Sequence, residues 1–318
     1  MKPVIKCNDN IAELRKLPGE SVDLVYIDPP FFTRKSWGEF DDRWASMDEY
    51  LGFMEPRLRE IHRVLKPTGV AFIHSDWHAG SYLRVAADKI FGYDNLRGKI
   101  EWKRTRAKNM KRLRSFANNT DTIYHYSKGK DYTFNQQSRP LPDIHVREKY
   151  VHDDGDGKGL YYKASAERHG GYHYSIDMGE REPSRGYAYT KETMLAMIKK
   201  GEIGVEPGKL PFKKLYLNGN AGAPIGNVWD DMDFVRKFAK ESTGYPTQKP
   251  ENLLKRVILS STNTGDVVLD AFAGSGTTCA VASKLGRKSI CIDQNPKACK
   301  IMEERLRSSN HHDVVFER

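Results

Sequence analysis

Apolar residues cluster into two alternating β/α stretches, one at each end of the chain. Residues 21–27 (SVDLVYI) form a β-branched run that stops at Asp28-Pro29-Pro30, as a buried strand of a parallel sheet does. Ser46-x-x-Glu49 is a capping box, and Tyr50, Leu51, Met54, Leu58, Ile61 and Leu65 follow at helical spacing, predicting a helix that ends at Lys66-Pro67-Thr68-Gly69. Residues 70–73 are the next strand and 80–91 the next amphipathic helix. The alternation returns late in the chain, with helices over 253–259, 277–285 and 296–306 and strands over 266–269, 289–292 and 313–316. Such alternation predicts an α/β fold with crossover helices on a largely parallel sheet.

Between these stretches, residues 132–243 turn to Tyr, Gly, His and charge without a sustained period. This predicts an inserted, loop-rich region with little core of its own. One short helix is expected there over 190–200, closed by Gly201. No repeat at a fixed period is present.

The chain has 318 residues, 52 Lys+Arg against 42 Asp+Glu, a formal charge of +10 and 38% hydrophobic residues. That composition excludes the collagen-like and disordered classes. No uncharged apolar run reaches the ~18–20 residues of a membrane span, and the start, MKPVIKCNDN, lacks a signal peptide's apolar stretch, so the expected location is the cytoplasm. Cys7, Cys279, Cys291 and Cys299 stand 272, 12 and 8 apart, without C-x-x-C or paired His. Four buried, inert thiols are expected, with no metal and no disulfide framework.

The surplus of positive charge is local: eleven cations against Glu101 and Asp121 between Arg97 and Lys130, a net +9 in 34 residues. Lys103, Arg104, Arg106, Lys108, Lys111 and Arg112 lie at its centre, interleaved with Trp102, Phe116, Asn118 and Asn119. A solvated face is the plainer account, yet the concentration favours a polyphosphate partner, bound in a salt-dependent way.

Two motifs carry chemistry. Asp270-Ala271-Phe272-Ala273-Gly274-Ser275-Gly276-Thr277 leads from a strand through glycines into a helix, where backbone N–H groups can approach a ligand. Asp293 ends the next strand, 17 residues beyond Gly276, placed to accept ribose hydroxyls. Cys279 stands where a dinucleotide fingerprint needs its third glycine, which favours a nucleoside cofactor without a pyrophosphate. The other motif is Asp28-Pro29-Pro30-Phe31. Its prolines fix the backbone, Pro29 offers only a carbonyl beside the Asp28 carboxylate, and Phe31 offers a ring face. Two acceptors in fixed geometry suit an amino group with two N–H donors. Alone, D-P-P is more often a turn; at a strand's carboxyl end, beside a glycine loop, it becomes a candidate site.

Asp28-Pro29-Pro30-Phe31, Asp270-x-Phe272-x-Gly274-x-Gly276 and Gly244-Tyr245-Pro246-Thr247-Gln248-Lys249-Pro250 resemble, in that order, the catalytic, cofactor and P-T-Q-K-P motifs of the β group of DNA amino-methyltransferases, the N6-adenine and N4-cytosine enzymes. The likeness covers residues 3–131 and 226–308, and more loosely 159–230, including Trp229-Asp230-Asp231. It departs at Asn8-Asp9, where the family often has Gly-Asp. The resemblance implies a Rossmann-like methyltransferase sheet with circularly permuted motif order: a catalytic half over 1–131, a target recognition insertion over 132–243 and a cofactor half over 244–318.

It further implies methyl transfer from S-adenosyl-L-methionine to a flipped base in double-stranded DNA. Asp28, Pro29, Pro30 and Phe31 would be catalytic. Asp9, Asp28, Thr247, Lys249, Asp270, Phe272, Gly274, Ser275, Gly276, Thr277 and Asp293 would surround the cofactor, and the six central cations would meet DNA. Asp28 in place of serine leans toward adenine N6 over cytosine N4 by the family's habit. A homodimer is expected, and a cognate restriction endonuclease is compatible with the family. An RNA or protein-glutamine methyltransferase shares the D-P-P chemistry, though the long insertion and basic stretch favour duplex DNA. A nicotinamide oxidoreductase is disfavoured by Cys279, and a non-catalytic DNA-binding module would need the basic run alone. Asp154-x-Asp156-x-Lys158-Gly159 imitates a calcium loop but has Lys158 at a ligand position and Ser165 in place of the bidentate Glu. His311-His312 is expected to be a solvated tail.

Overall fold

The computed structural model of the chain describes residues 2–38, 40–105, 114, 116–218, 222–308 and 314–317. Arg106, Lys108, Lys111, Arg112, His311 and His312 lie outside the described residues.

In chain order the first unit opens with β1 (Val4–Cys7), α1 (Asn10–Lys16), β2 (Val22–Ile27), α2 (Met47–Val64), β3 (Leu65–Ser75), α3 (Gly80–Phe91), β4 (Leu96–Lys103) and β5 (Thr120–Ser127). The second unit holds β6 (Ser138–Arg139), α4 (Asp143–Lys149), β7 (Tyr161–Ser165), β8 (Glu167–Tyr172), α5 (Lys191–Lys199), β9 (Ile203–Gly204), β10 (Phe212–Tyr216) and β11 (Ala223–Pro224). The first unit resumes with β12 (Val228–Trp229), α6 (Glu251–Ser261), β13 (Val267–Asp270), α7 (Thr277–Lys284), β14 (Lys288–Asp293), α8 (Pro296–Ser308) and β15 (Val315–Glu317).

Nine strands of the first unit form one mixed sheet in the order β12-β4-β5-β3-β2-β13-β14-β1-β15. Strands distant in sequence meet at its centre: β2 pairs in parallel with β13, Val25 opposite Leu269 and Tyr26 opposite Asp270. Successive side chains alternate between the faces. Val25, Ile27, Ala71, Ile73 and Leu269 pack with α2 and α3; Leu24, Tyr26, Val70, Phe72 and Val268 pack on the other face with α6 and α7. The expected α/β sheet covered on both faces is therefore present, and its central carboxyl edge carries Asp28, Asp270 and Asp293.

Local signals account for several elements. Ser46 accepts from the Glu49 amide at 3.1 Å, and Glu49 reaches back to the Ala45 amide at 2.6 Å. This is the expected capping box, displaced by one residue at its return bond. Thr190 caps α5, and Gly201 follows it with φ +73°. Lys66-Pro67-Thr68-Gly69, expected to separate helix from strand, instead lies inside β3, which starts at Leu65 opposite Val22 and resumes after a bulge.

The structure corrects two further expectations. The insertion is shorter than 132–243, because the second unit runs from Ser138 to Pro224. It also has a core of its own, built from Ala166, Ile176, Tyr187, Met194, Met197 and Ile203, and a three-stranded sheet β7-β10-β9. Residues beyond Pro224 rejoin the first unit, where Val228–Trp229 becomes the edge strand β12. The second correction concerns cysteine. Cys279 and Cys291 form a disulfide, whereas Cys7 and Cys299 are free. The bridged Cα atoms are 6.3 Å apart because α7 lies against β14, within bonding range; a spacing of 12 residues carries no sign of that contact.

Candidate active site

Strand ends deliver the site. Asp28 leaves β2, Asp270 ends β13 and Asp293 ends β14. They line one cavity of about 490 Å³ with Pro29, Pro30, Phe31, Thr247, Lys249, Phe272, Gly274, Ser275 and Thr277. Asp28 and Gly274, 246 positions apart in sequence, thus face the same space.

The turn after Asp28 is clamped by Asp42, which the sequence did not single out. Its buried carboxylate accepts from the Phe32 amide at 2.7 Å and from the Thr33 amide at 2.9 Å. Phe32 holds φ +64° and Arg34 φ +59°, left-handed backbone that needs such support. The Tyr50 hydroxyl donates to the Pro30 carbonyl at 2.7 Å. This commits Pro30 to the scaffold and leaves Pro29 as the carbonyl beside Asp28.

Lys249 is the second surprise in geometry. Its ammonium pairs with Asp28 Oδ2 across 221 positions of sequence, and its side chain is largely buried. A loop-capping surface residue is therefore excluded. Gln248 explains the rigidity of this segment: its Oε1 accepts from the Thr243 amide at 2.8 Å and its Nε2 donates to the Glu241 carbonyl at 2.7 Å. Thr247 at the same turn has φ +62°. The Thr277 hydroxyl donates to the Lys249 carbonyl at 3.1 Å, tying the P-T-Q-K-P segment to the start of α7.

Asp28 Oδ1, in contrast, is a buried carboxylate oxygen with no hydrogen-bond partner. Leaving such an acceptor unmatched opposes folding by about 1–3 kcal/mol. Its position beside a cavity marks it as an atom that a ligand satisfies.

On the opposite wall, Asp293 accepts from the Gly274 amide and the Asn295 amide, both at 2.8 Å, and burial pushes its carboxyl up. Asp270 accepts from the Thr278 hydroxyl at 2.5 Å and the Phe272 amide at 3.0 Å. Burial, reinforced by the charges of Asp28 and Asp293, nevertheless pushes it up to about 7. Asp9 and Gly276, both expected at the cofactor, do not line the cavity. Asp9 caps α1 through the Ala12 amide and pairs with Arg57 at 3.0 Å; Arg57 also donates to Asn10 at 2.6 Å. Arg57 and Asn10 do reach the cavity, as do Trp44, Phe53, Tyr245 and Gln248. None of these six carried a sequence signal of its own except Tyr245 and Gln248, which sit inside the P-T-Q-K-P stretch.

Among the expected DNA contacts, Lys103 is exposed at the end of β4, and Arg104 is committed to the buried Asp121 at 2.8 Å.

Comparison with known proteins decides the family. The model of a DNA methylase family matches residues 22–304. The chain belongs to that family. This methylase is 30% identical over 312 residues to the DNA adenine methyltransferase YhdJ of Escherichia coli (strain K12), covering 96% of this chain and 83% of that one. It is 31% identical over 311 residues to the Type II methyltransferase M.EcaI of Enterobacter cloacae, covering 94% and 68%. In fold it is similar to a Thermus thermophilus protein, TTHA0409, named as a DNA modification methylase and solved with S-adenosyl-L-methionine. That likeness has a TM-score of 0.56 at 18% identity over 99% of this chain and 98% of that one. The β-group resemblance drawn from the three motifs is borne out.

The raised carboxyl of Asp270 makes the methylase's stability depend on pH. A folded-state value above the unfolded one gives a contribution that is complete at low pH and is lost as pH rises through about 7. Asp270→Asn keeps an acceptor for the Phe272 amide and a partner for the Thr278 hydroxyl but cannot ionise. Thermal unfolding should therefore show the wild type losing more midpoint temperature between about pH 5 and pH 8 than the variant does. Asp293 pulls in the same direction in both proteins, so the variant keeps a residual slope. Equal slopes would refute the assignment of the titration to Asp270.

Proposed function

We propose that this methylase transfers a methyl group from S-adenosyl-L-methionine to the exocyclic N6 of an adenine flipped out of DNA. The observation that carries the reading is Asp28 Oδ1, the partnerless buried acceptor, set across one cavity from the glycine turn at Gly274.

The residues present fit the cofactor. Asp293 ends β14 where ribose hydroxyls need an acceptor, Phe272 and Phe53 offer ring faces with centroids 6.3 Å apart, and Arg57 supplies a cation to the same cavity. When bound, S-adenosyl-L-methionine supplies an electrophilic methyl on sulfur, so the protein's task is geometry and electrostatics. Asp28 Oδ1 and the Pro29 carbonyl accept the two amine protons, draw the nitrogen lone pair out of conjugation and favour the developing positive charge. Lys249 holds the other Asp28 oxygen and so fixes where Oδ1 points. Phe31 offers a face against which the base rests.

A paired adenine cannot reach that acceptor, so the nucleotide must leave the stack at a cost of a few kcal/mol. Lys103, with the neighbouring cations Arg106, Lys108, Lys111 and Arg112 of the sequence, supplies charge for the phosphates. The insertion reads the target sequence. Adenine is favoured over cytosine by Asp28 in the catalytic motif and by the relative YhdJ, named for adenine.

Unmethylated duplex DNA incubated with the protein and S-adenosyl-L-methionine, digested to nucleosides and weighed by mass spectrometry, should yield N6-methyladenosine of the deoxy series. N4-methylcytosine would overturn the choice of base, and no methylated nucleoside would overturn the reading of the site.

A further inference from the structure

Behind Asp28 lies a buried chain of polar groups that the site described above does not use. Ile27 of β2 pairs with Ile73 of β3, so Asp28 and His74 leave the same end of two adjacent parallel strands. His74 is fully buried, with Nδ1 3.9 Å from Asp28 Oδ1. The Tyr26 hydroxyl lies 2.7 Å from Nδ1, and Asp121 Oδ2 of β5 lies 3.3 Å from Nε2. Arg104, just beyond β4, binds the other Asp121 oxygen at 2.8 Å. Phe31 stacks on one face of the imidazole at 5.7 Å, and Trp102 meets it edge-on at the same distance.

We propose that His74 is the relay that takes the proton of the methylated amine from Asp28. The inference rests on the function proposed above. Methyl transfer forms a C–N bond with the amine's lone pair and breaks the C–S bond with its pair left on sulfur, so the nitrogen ends with one proton too many. That proton goes first to Asp28 Oδ1. Left there, it would neutralise the partner of Lys249 and strand a buried ammonium without its counter-charge, an expensive arrangement. Passed to His74 Nδ1, it restores the Asp28–Lys249 pair and creates an imidazolium facing Asp121. Once product has left, the proton returns through Asp28 to water in the cavity.

The surroundings prepare His74 for this. Burial pushes the Asp121 carboxyl up, but the His74 hydrogen bond and the charges of Lys249 and Arg104 outweigh it and hold Asp121 below its ordinary value. An ionised Asp121 requires the proton on Nε2, which leaves Nδ1 with its lone pair toward Tyr26 and Asp28. Burial, with the charges of Asp28, Asp270 and Asp121, keeps the Tyr26 hydroxyl protonated, so it acts as a neutral donor that can turn and accept. His74 touches neither substrate nor cofactor and is a positioning and relay residue, not a catalytic one.

The test compares wild type, His74→Gln and Asp121→Asn in single turnover with DNA and S-adenosyl-L-methionine pre-bound, from about pH 5.5 to 9, alongside ligand affinity and thermal unfolding. We expect His74→Gln to slow the single-turnover rate by about 10–100-fold and to flatten its acidic limb, with ligand affinity unchanged. Asp121→Asn should fall between the two. A His74→Gln protein with the wild-type rate and limb overturns the relay. A wild-type protein that methylates no DNA overturns instead the function on which it rests. Should His74→Gln fail to fold, Asp121→Asn takes its place in the kinetic arm, and nitrogen NMR of labelled histidine in the wild type reads the tautomer directly. Nε2–H supports the relay and Nδ1–H excludes it.

Discussion

Asp28→Ala should lower methyl transfer by about 10³-fold or more while DNA and S-adenosyl-L-methionine still bind. The magnitude follows from what the side chain supplies. A preorganised group aimed at developing charge and a positioned proton acceptor each contribute about 10²–10⁴-fold, and Asp28 Oδ1 is both. Binding survives because the cofactor-facing wall is built from other elements: the β13 turn, β14 and the segment locked by Gln248. Asp28→Asn sharpens the result. It keeps one acceptor oxygen and the shape of the carboxyl, but it cannot take a proton and leaves Lys249 without its counter-charge. It should retain more activity than alanine at the same ligand affinity. Single-turnover rates with saturating ligands, set beside dissociation constants, separate the two effects. An alanine variant with wild-type turnover would refute the role of Asp28, and one that loses only binding would move it to the cofactor site.

The parts legible in the sequence were those whose cause is local. A β-branched run halted by Asp28-Pro29-Pro30 announces a strand exit, and Asp293 after Ile290-Cys291-Ile292 announces another. Both carboxylates were found because parallel strands deliver their carboxyl ends to one edge. What was hidden depends on contacts between distant segments. Nothing near Lys249 says that it meets Asp28, and nothing near His74 says that it faces Asp121.

The strands β4 and β5 were hidden for a different reason. In β4, Ile100 and Trp102 are buried while Lys99 and Lys103 are exposed, a plain period of two. The density of cations in the same stretch drew attention to charge and masked that alternation. Arg104 shows the consequence: counted as a DNA contact, it holds a buried carboxylate. The cysteines failed similarly, since a disulfide follows from how α7 packs on β14 rather than from spacing.

Gly276→Ala should destabilise the protein by about 2–4 kcal/mol, whereas Gly274→Ala should act mainly on cofactor affinity. Both glycines have positive φ, +74° and +50°, so an alanine at either position carries the left-handed penalty of about 1–2 kcal/mol. The difference lies in what the new Cβ meets. At Gly276 it runs into Cγ and Cβ of Met302, the root of a buried side chain on α8. Those atoms move only if the helix moves, which adds about 1–3 kcal/mol of overpacking.

At Gly274 the new Cβ meets instead the Tyr245 ring at 3.2 Å, a side chain lining the cavity. That ring can yield, but only by altering the wall where the cofactor rests. Gly276 lies outside the cavity lining, so its variant, where folded, should bind with little loss. Denaturant unfolding reports the first effect and calorimetric titration with S-adenosyl-L-methionine the second. Equal destabilisation would refute the role given to Met302, and an affinity loss at Gly276 without loss of stability would place that glycine at the ligand after all.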